Sequence, residues 1–110
     1  MNFEIKKHGK ATVLKLNERK LDSTVSSELK GEFLILCTPE LKHLVVDMSD
    51  VEFCDSSGLS ALLIAERKMR EMGGSVRLAG VSKKVLTLVK ISHLDRAFQI
   101  YDTVAKAVKV

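Results

Sequence analysis

At 110 residues, with 45% hydrophobic and 29% charged residues, one proline and six glycines, the chain has the makeup of one globular domain spanning residues 1–110 and excludes long disordered tracts. No apolar run approaches the ~20 residues of a membrane span, and the opening MNFEIKKHGK lacks the apolar core of a signal peptide, so the expected location is cytoplasmic. The net charge of +4 comes from basic residues scattered among 14 acids, with one Tyr and no Trp; without a basic stripe interleaved with stacking aromatics, no nucleic-acid partner is expected.

Phe3 to Lys6 alternates apolar and polar, as an edge strand does, and His8-Gly9-Lys10 reads as a hairpin turn. Ala11 to Leu16 resumes a strand with Leu14 and Leu16 on one face and Val13 on the other. Asn17 to Lys20 reads as loop. Asp22, Ser23 and Thr24 are all competent to cap the helix that follows, whose apolar stripe is Val25, Leu29, Phe33 and Leu36 or Cys37. Thr38-Pro39 ends it. Leu44-Val45-Val46 is apolar on successive positions, the pattern of a central strand covered on both faces and paired in parallel.

After a turn at Ser49-Asp50, Val51 and Phe53 are expected to point one way and Glu52 the other. A long helix follows, with Leu59, Leu62, Leu63, Ala65, Met69 and Met72 inward and Glu66, Arg67, Arg70 and Glu71 outside the stripe. Gly73-Gly74 stops it. Val76 to Ala79 is a further strand, Ser82 caps a helix reaching Lys90, and Ser92 to Asp95 connects to a last strand over Phe98 to Tyr101. Asp102 or Thr103 caps a final helix anchored by Val104 and Val108. The order β-β-α-β-α-β-α-β-α predicts an α/β fold, a mixed sheet of four to five strands with about four helices packed on it.

The chemistry concentrates between the central strand and the long helix, at Asp55-Ser56-Ser57-Gly58. The bland account is a helix entrance: Asp55 or Ser56 satisfies free backbone N–H groups and Gly58 permits close packing. The functional account puts an exposed Ser56 hydroxyl at the end of a central strand, where open α/β sheets carry their sites. A phosphate there adds roughly −1.5 to −2 charge beside Asp55, and beside Asp22 if that residue shares the same end. Such a modification is tolerated locally yet changes what docks on the face. A serine hydrolase would need a base among His8, His43 and His93, and the segment lacks the Gly-x-Ser-x-Gly elbow. A phosphoaspartate receiver built on Asp47 lacks the early acidic pair for Mg²⁺. Cys37 and Cys54 lack metal spacing and read as free buried thiols. With no phosphate-cradling glycine loop and no metal-ligand cluster, no cofactor is expected. The chain reads as a binding module and not an enzyme, and as a monomer, for want of an exposed apolar stripe.

Leu21-Asp22, then VVDMSDVEFCDSSGLSALL, then Leu94-Asp95-Arg96-Ala97-Phe98-Gln99-Ile100-Tyr101 resemble the STAS domain, shared by sulfate transporters and anti-sigma-factor antagonists. Where family members often have a Gly shortly before the Leu-Asp pair, this chain has Asn17-Glu18-Arg19-Lys20. The resemblance implies a stand-alone bacterial antagonist that works by partner switching. An anti-sigma factor that is also an ATP-dependent serine kinase binds the unmodified antagonist and releases its sigma factor. It then phosphorylates the motif's first serine, and the complex falls apart. A PP2C-type phosphatase resets the cycle. Carried onto this chain, the phosphoacceptor is Ser56. Asp22 matches the family's acidic residue near that serine. Asp55, Ser57, Gly58 and Leu59 frame the partner-binding face. The alternative within the family is an unphosphorylated scaffold subunit of a transporter-associated or lipid-transport complex, in which Ser56 only caps a helix.

Overall fold

In the computed structural model, which describes residues 1–109, the chain forms a five-stranded sheet, a separate two-stranded ribbon and four α-helices. The strands are β1 (Phe3–His8), β2 (Ala11–Leu16), β3 (Lys20–Leu21), β4 (His43–Asp47), β5 (Phe53–Cys54), β6 (Ser75–Ala79) and β7 (Gln99–Tyr101). The helices are α1 (Ser23–Leu36), α2 (Ser56–Glu71), α3 (Lys83–Ile91) and α4 (Val104–Ala107), with a 3₁₀ turn at Leu94–Arg96. The main sheet runs β1-β2-β4-β6-β7. Only the β1–β2 hairpin, turning through Gly9 at φ +61°, is antiparallel; β2, β4, β6 and β7 are parallel to one another.

Period-two alternation sorts the strand residues onto two unequal faces. Leu14, Leu16, Leu44, Val46, Val76 and Leu78 meet Val25, Leu29 and Phe33 of α1, Leu62, Ala65 and Met69 of α2, and Val85 and Val89 of α3 in the main core. Ala11, Val13, Val45 and Ala79 meet Ala107 of α4 in a much smaller one. Arg77 lies on this second side. Its Nη1 donates to the carbonyls of Ala107 and Lys109, each at 2.8 Å, closing the free end of α4, and its guanidinium carbon sits 5.7 Å from the centre of the Tyr101 ring.

Three local expectations change. Lys20 is not loop: Lys20 and Leu21 pair in parallel with Phe53 and Cys54. Two-residue strands are too short to leave a periodic pattern in sequence. Val51 is buried, whereas Phe53 is 46% exposed. Val51 belongs to the turn before β5 and its N–H bonds back to the Met48 carbonyl, so alternation starts at Phe53, and it is Cys54 that faces inward. Glu66 is only 8% exposed. α2 is flanked by α1 as well as by the sheet, which buries a wider arc than one stripe; the Glu66 carboxylate still reaches Arg70 one turn on, at 3.7 Å.

The ribbon ties the main fold to the start of α2. The N–H of Asp55 donates to the Leu21 carbonyl at 3.2 Å, and Gly58 lies directly over that same strand. A Cβ at Gly58 would stand 2.3 Å from the Leu21 carbonyl oxygen, 2.8 Å from Leu21 Cγ and 2.9 Å from Cys54 Sγ. Backbone on one side and a packed thiol on the other leave no room to yield. Gly58→Ala is therefore expected to destabilise the fold by about 1–3 kcal/mol, read as a fall in Tm of about 4–8 °C for each kcal/mol in a domain of this size; an unchanged Tm would refute the close packing. Cys37 and Cys54 are buried free thiols, and burial, with the nearby Asp55 carboxylate, pushes Cys54 up to about 12. Only the thiolate is nucleophilic, so at pH 8 roughly one part in ten thousand is reactive. Alkylation of the native protein is expected to be slow at both positions and to become rapid only on unfolding, followed by mass spectrometry.

Candidate functional site

β3 and β5 each run straight into a helix. Because Leu21 pairs with Cys54, the next residues, Asp22 and Asp55, stand side by side, and each is an N-cap. Asp22 Oδ1 accepts from the Thr24 N–H at 3.0 Å and from the Thr24 hydroxyl. Asp55 Oδ1 accepts from the Gly58 N–H at 3.1 Å. Two helices therefore begin together at the carboxyl end of the parallel strands, each with a carboxylate over its free N–H groups. The Thr24 hydroxyl first, and the Thr24 N–H second, hold the Asp22 carboxyl below the usual carboxylate range. This contribution to stability is present above the unfolded carboxyl's pKa and is lost as the pH falls through the lowered one.

Ser56 is the first residue of α2 and is exposed; Ser57 is half-buried. Among the described residues the Ser56 hydroxyl makes no hydrogen bond, so it is not the helix cap; Asp55 is. Gly58 and Leu59 are placed differently from a contact surface. Gly58 is buried against Leu21, and Leu59, 5% exposed, packs into the main core. They hold the start of α2 from beneath, while Asp22 and Asp55 cap the two helices and Ser56 is exposed. The Asn17–Lys20 segment, where family members often have a glycine, leads into Leu21 and the Asp22 cap of α1. The Arg19 carbonyl accepts from the N–H groups of Glu52 and Phe53 at 2.8 and 3.1 Å, and the Arg19 side chain pairs with Glu52.

Two open depressions flank this end of the molecule. One, of about 690 Å³, is lined by Arg19, Lys20, Asp22, Thr24, Glu52 and Lys84 among others. The other, of about 370 Å³, is walled by Phe53, Cys54, Val85, Leu88 and Ile91, with Glu52, Lys84 and Thr87 at its rim. Phe53 is 46% and Ile91 70% exposed, so an apolar strip adjoins the serines. The sequence reading missed it and counted no exposed apolar stripe. Lys84, Thr87, Leu88 and Ile91 recur at helical spacing, a signal present in the sequence, where Val85, Leu88 and Val89 read as the inward stripe; Val85 and Val89 are buried, whereas Leu88 also lines the depression. The remaining chemistry-bearing residues lie elsewhere. His8 is in the hairpin. His43 opens β4 with its Nδ1 2.9 Å from Ser75 Oγ. His93 sits in the left-handed region at φ 59° after α3. None is brought to Ser56 by this topology, and among the described residues no cluster of metal-ligating side chains occurs and no helix is long and apolar enough to cross a membrane.

Known proteins are similar to this chain in sequence and fold. The anti-sigma F factor antagonist of Paenibacillus polymyxa is 29% identical over 68 residues, which is 62% of this chain and 58% of that protein. The chain thus spans less than two thirds of the length of the curated relatives it matches. An anti-sigma-factor antagonist (STAS) domain protein from Planctomyces limnophilus superposes with a TM-score of 0.87 at 21% identity, covering 96% of this chain and 93% of that one. The anti-sigma factor antagonist SpoIIAA in its unphosphorylated form superposes with a TM-score of 0.82 at 18% identity, covering 97% and 93%. The STAS domain family model matches residues 2–107, and the chain belongs to the STAS domain family.

Proposed function

We propose that this chain is an anti-sigma-factor antagonist whose docking face is switched by phosphorylation of Ser56. The observation that carries the reading is the pairing of Leu21 with Cys54, which sets the carboxylates of Asp22 and Asp55 beside an exposed, unbonded serine hydroxyl. Its similarity to proteins described as anti-sigma factor antagonists supports the partner class, and SpoIIAA has also been solved in a phosphorylated form.

The energetics favour a switch that leaves the fold intact. A phosphate on Ser56 faces the positive end of α2, a gain of about 0.3–1 kcal/mol. Each neighbouring carboxylate costs about 1 kcal/mol per charge pair at contact distance in water. At contact distance the repulsion from two carboxylates on a phosphate of roughly −1.5 to −2 exceeds that gain by about 2–4 kcal/mol; in the free protein, where the group stays hydrated, salt and separation screen it. In a complex that covers the serine, the phosphate loses water and meets Asp22 and Asp55 at low dielectric, so the whole cost falls on docking. The partner is an anti-sigma factor that is also a serine kinase. It covers Asp22, Asp55 and Ser56 and seats apolar side chains along Phe53, Leu88 and Ile91. A PP2C-type phosphatase resets the site. The protein supplies no catalytic group of its own. In the second reading, a scaffold subunit, the Asp55 cap and the Gly58 contact account fully for the motif and Ser56 carries no modification.

Intact mass after incubation with the candidate kinase and ATP separates the two. One added phosphate on wild type and none on Ser56→Ala is expected; no phosphate on either, with a kinase active on a control substrate, favours the scaffold. Ser56→Asp is expected to weaken kinase binding at least tenfold in calorimetry, and binding as tight as wild type would sink the switch. Asp22→Asn keeps a competent N-cap but removes a charge. Its Tm should stay close to wild type while the rate of Ser56 phosphorylation changes severalfold; a change confined to Tm would make Asp22 a structural cap only.

A further inference from the structure

The opposite end of the sheet carries a surface that the serine site does not use. There the β1–β2 turn, the end of α1 and the segment leading into β4 enclose a groove of about 440 Å³. Ile5, Leu36 and Leu41 form its apolar part, and Lys7, Lys10 and Lys42 stand around it, all three exposed. Ile5 is 44% exposed, and Ile35, on the last turn of α1, is 74% exposed. Glu40 is the one carboxylate in the lining. Among the described residues neither it nor any of the three lysines belongs to an ion pair. The positive field extends into the sheet: besides burial, Arg77 and Lys10 hold the His43 imidazole below its usual pKa.

We infer that this groove and its lysines form a docking surface for an anionic lipid bilayer. Unpaired lysines beside exposed aliphatic side chains are the composition of a peripheral membrane contact, cations held at the headgroups and apolar groups entering the acyl boundary. The cations are all lysines, flexible point charges suited to a diffuse anionic surface. A specific carboxylate partner would be met better by the planar fork of arginine. No aromatic side chain lines the groove, which removes the stacking that single-stranded nucleic acid requires. β2 and β4 run away from this end toward Asp22 and Ser56, so a chain docked here presents its serine outward, and the inference stands whether or not Ser56 is phosphorylated.

Flotation with lipid vesicles at low ionic strength tests it. The wild type is expected to float with vesicles of phosphatidylcholine and phosphatidylglycerol in equal parts, to stay behind with phosphatidylcholine alone, and to be released by salt. With about 1 kcal/mol per lysine at such a surface, or roughly fivefold each, Lys7→Glu/Lys10→Glu/Lys42→Glu should lose well over tenfold in apparent partitioning. Lys20→Glu/Lys83→Glu/Lys84→Glu has the same net charge and alters the other end, so it should float like wild type. Circular dichroism melts confirm that both variants fold. Equal loss in the two variants would reduce the effect to net charge and overturn the site. Failure of the wild type to float would do the same. Competition by polyglutamate at concentrations that leave vesicles unbound would overturn the lipid assignment in favour of an acidic protein.

Discussion

Everything at the serine end depends on one short contact, the parallel pairing of Lys20-Leu21 with Phe53-Cys54. Each half has two residues and no stability of its own, yet each is the last extended stretch before a helix. Joining them fixes where α1 and α2 begin relative to one another. The two helices then point the same way with their positive ends together, an arrangement that like poles disfavour. Asp22 and Asp55 are the counter-charges that make it tolerable, each accepting from N–H groups that would otherwise lack partners. Their acidity is thus built into the packing of the fold and would remain if no partner ever bound.

This accounts for the division of labour around Ser56. Capping is assigned to the preceding aspartate and close approach to Gly58, whose missing side chain lets α2 sit on the Leu21 backbone. The serine between them bears no structural duty. Ser56 is the first residue of α2 and lies exposed.

Most of this was legible in the sequence, for identifiable reasons. The successive apolar residues Leu44-Val45-Val46 announce a strand covered on both faces, and it lies between two parallel neighbours. The stripes of α1 and α3, and the stops at Thr38-Pro39 and Gly73-Gly74, follow from period and turn chemistry. The Asp-Ser-Ser-Gly segment could be placed at a helix start from its residue types alone. What escaped was whatever depended on partners distant in sequence. Lys20-Leu21 is a strand only because Phe53-Cys54 lies beside it. Glu66 is buried because α1 flanks α2. Phe53 faces out because Val51 was spent in a turn, and with that alternation misplaced, the apolar strip from Phe53 to Ile91 was invisible.

The two faces of the sheet differ in a way that bears on motion. The main core is sealed by three helices, but the other side rests on α4, four residues long. A helix of one turn cannot hold itself together in water; it persists because Thr103 caps one end and Arg77 gathers the carbonyls at the other. Peeling it away would uncover only Val45, Ala79 and a few neighbours and leave the large core untouched. The easiest opening of this protein is therefore a small flap on the side away from the three packed helices, and its ordinary breathing need not disturb Ser56.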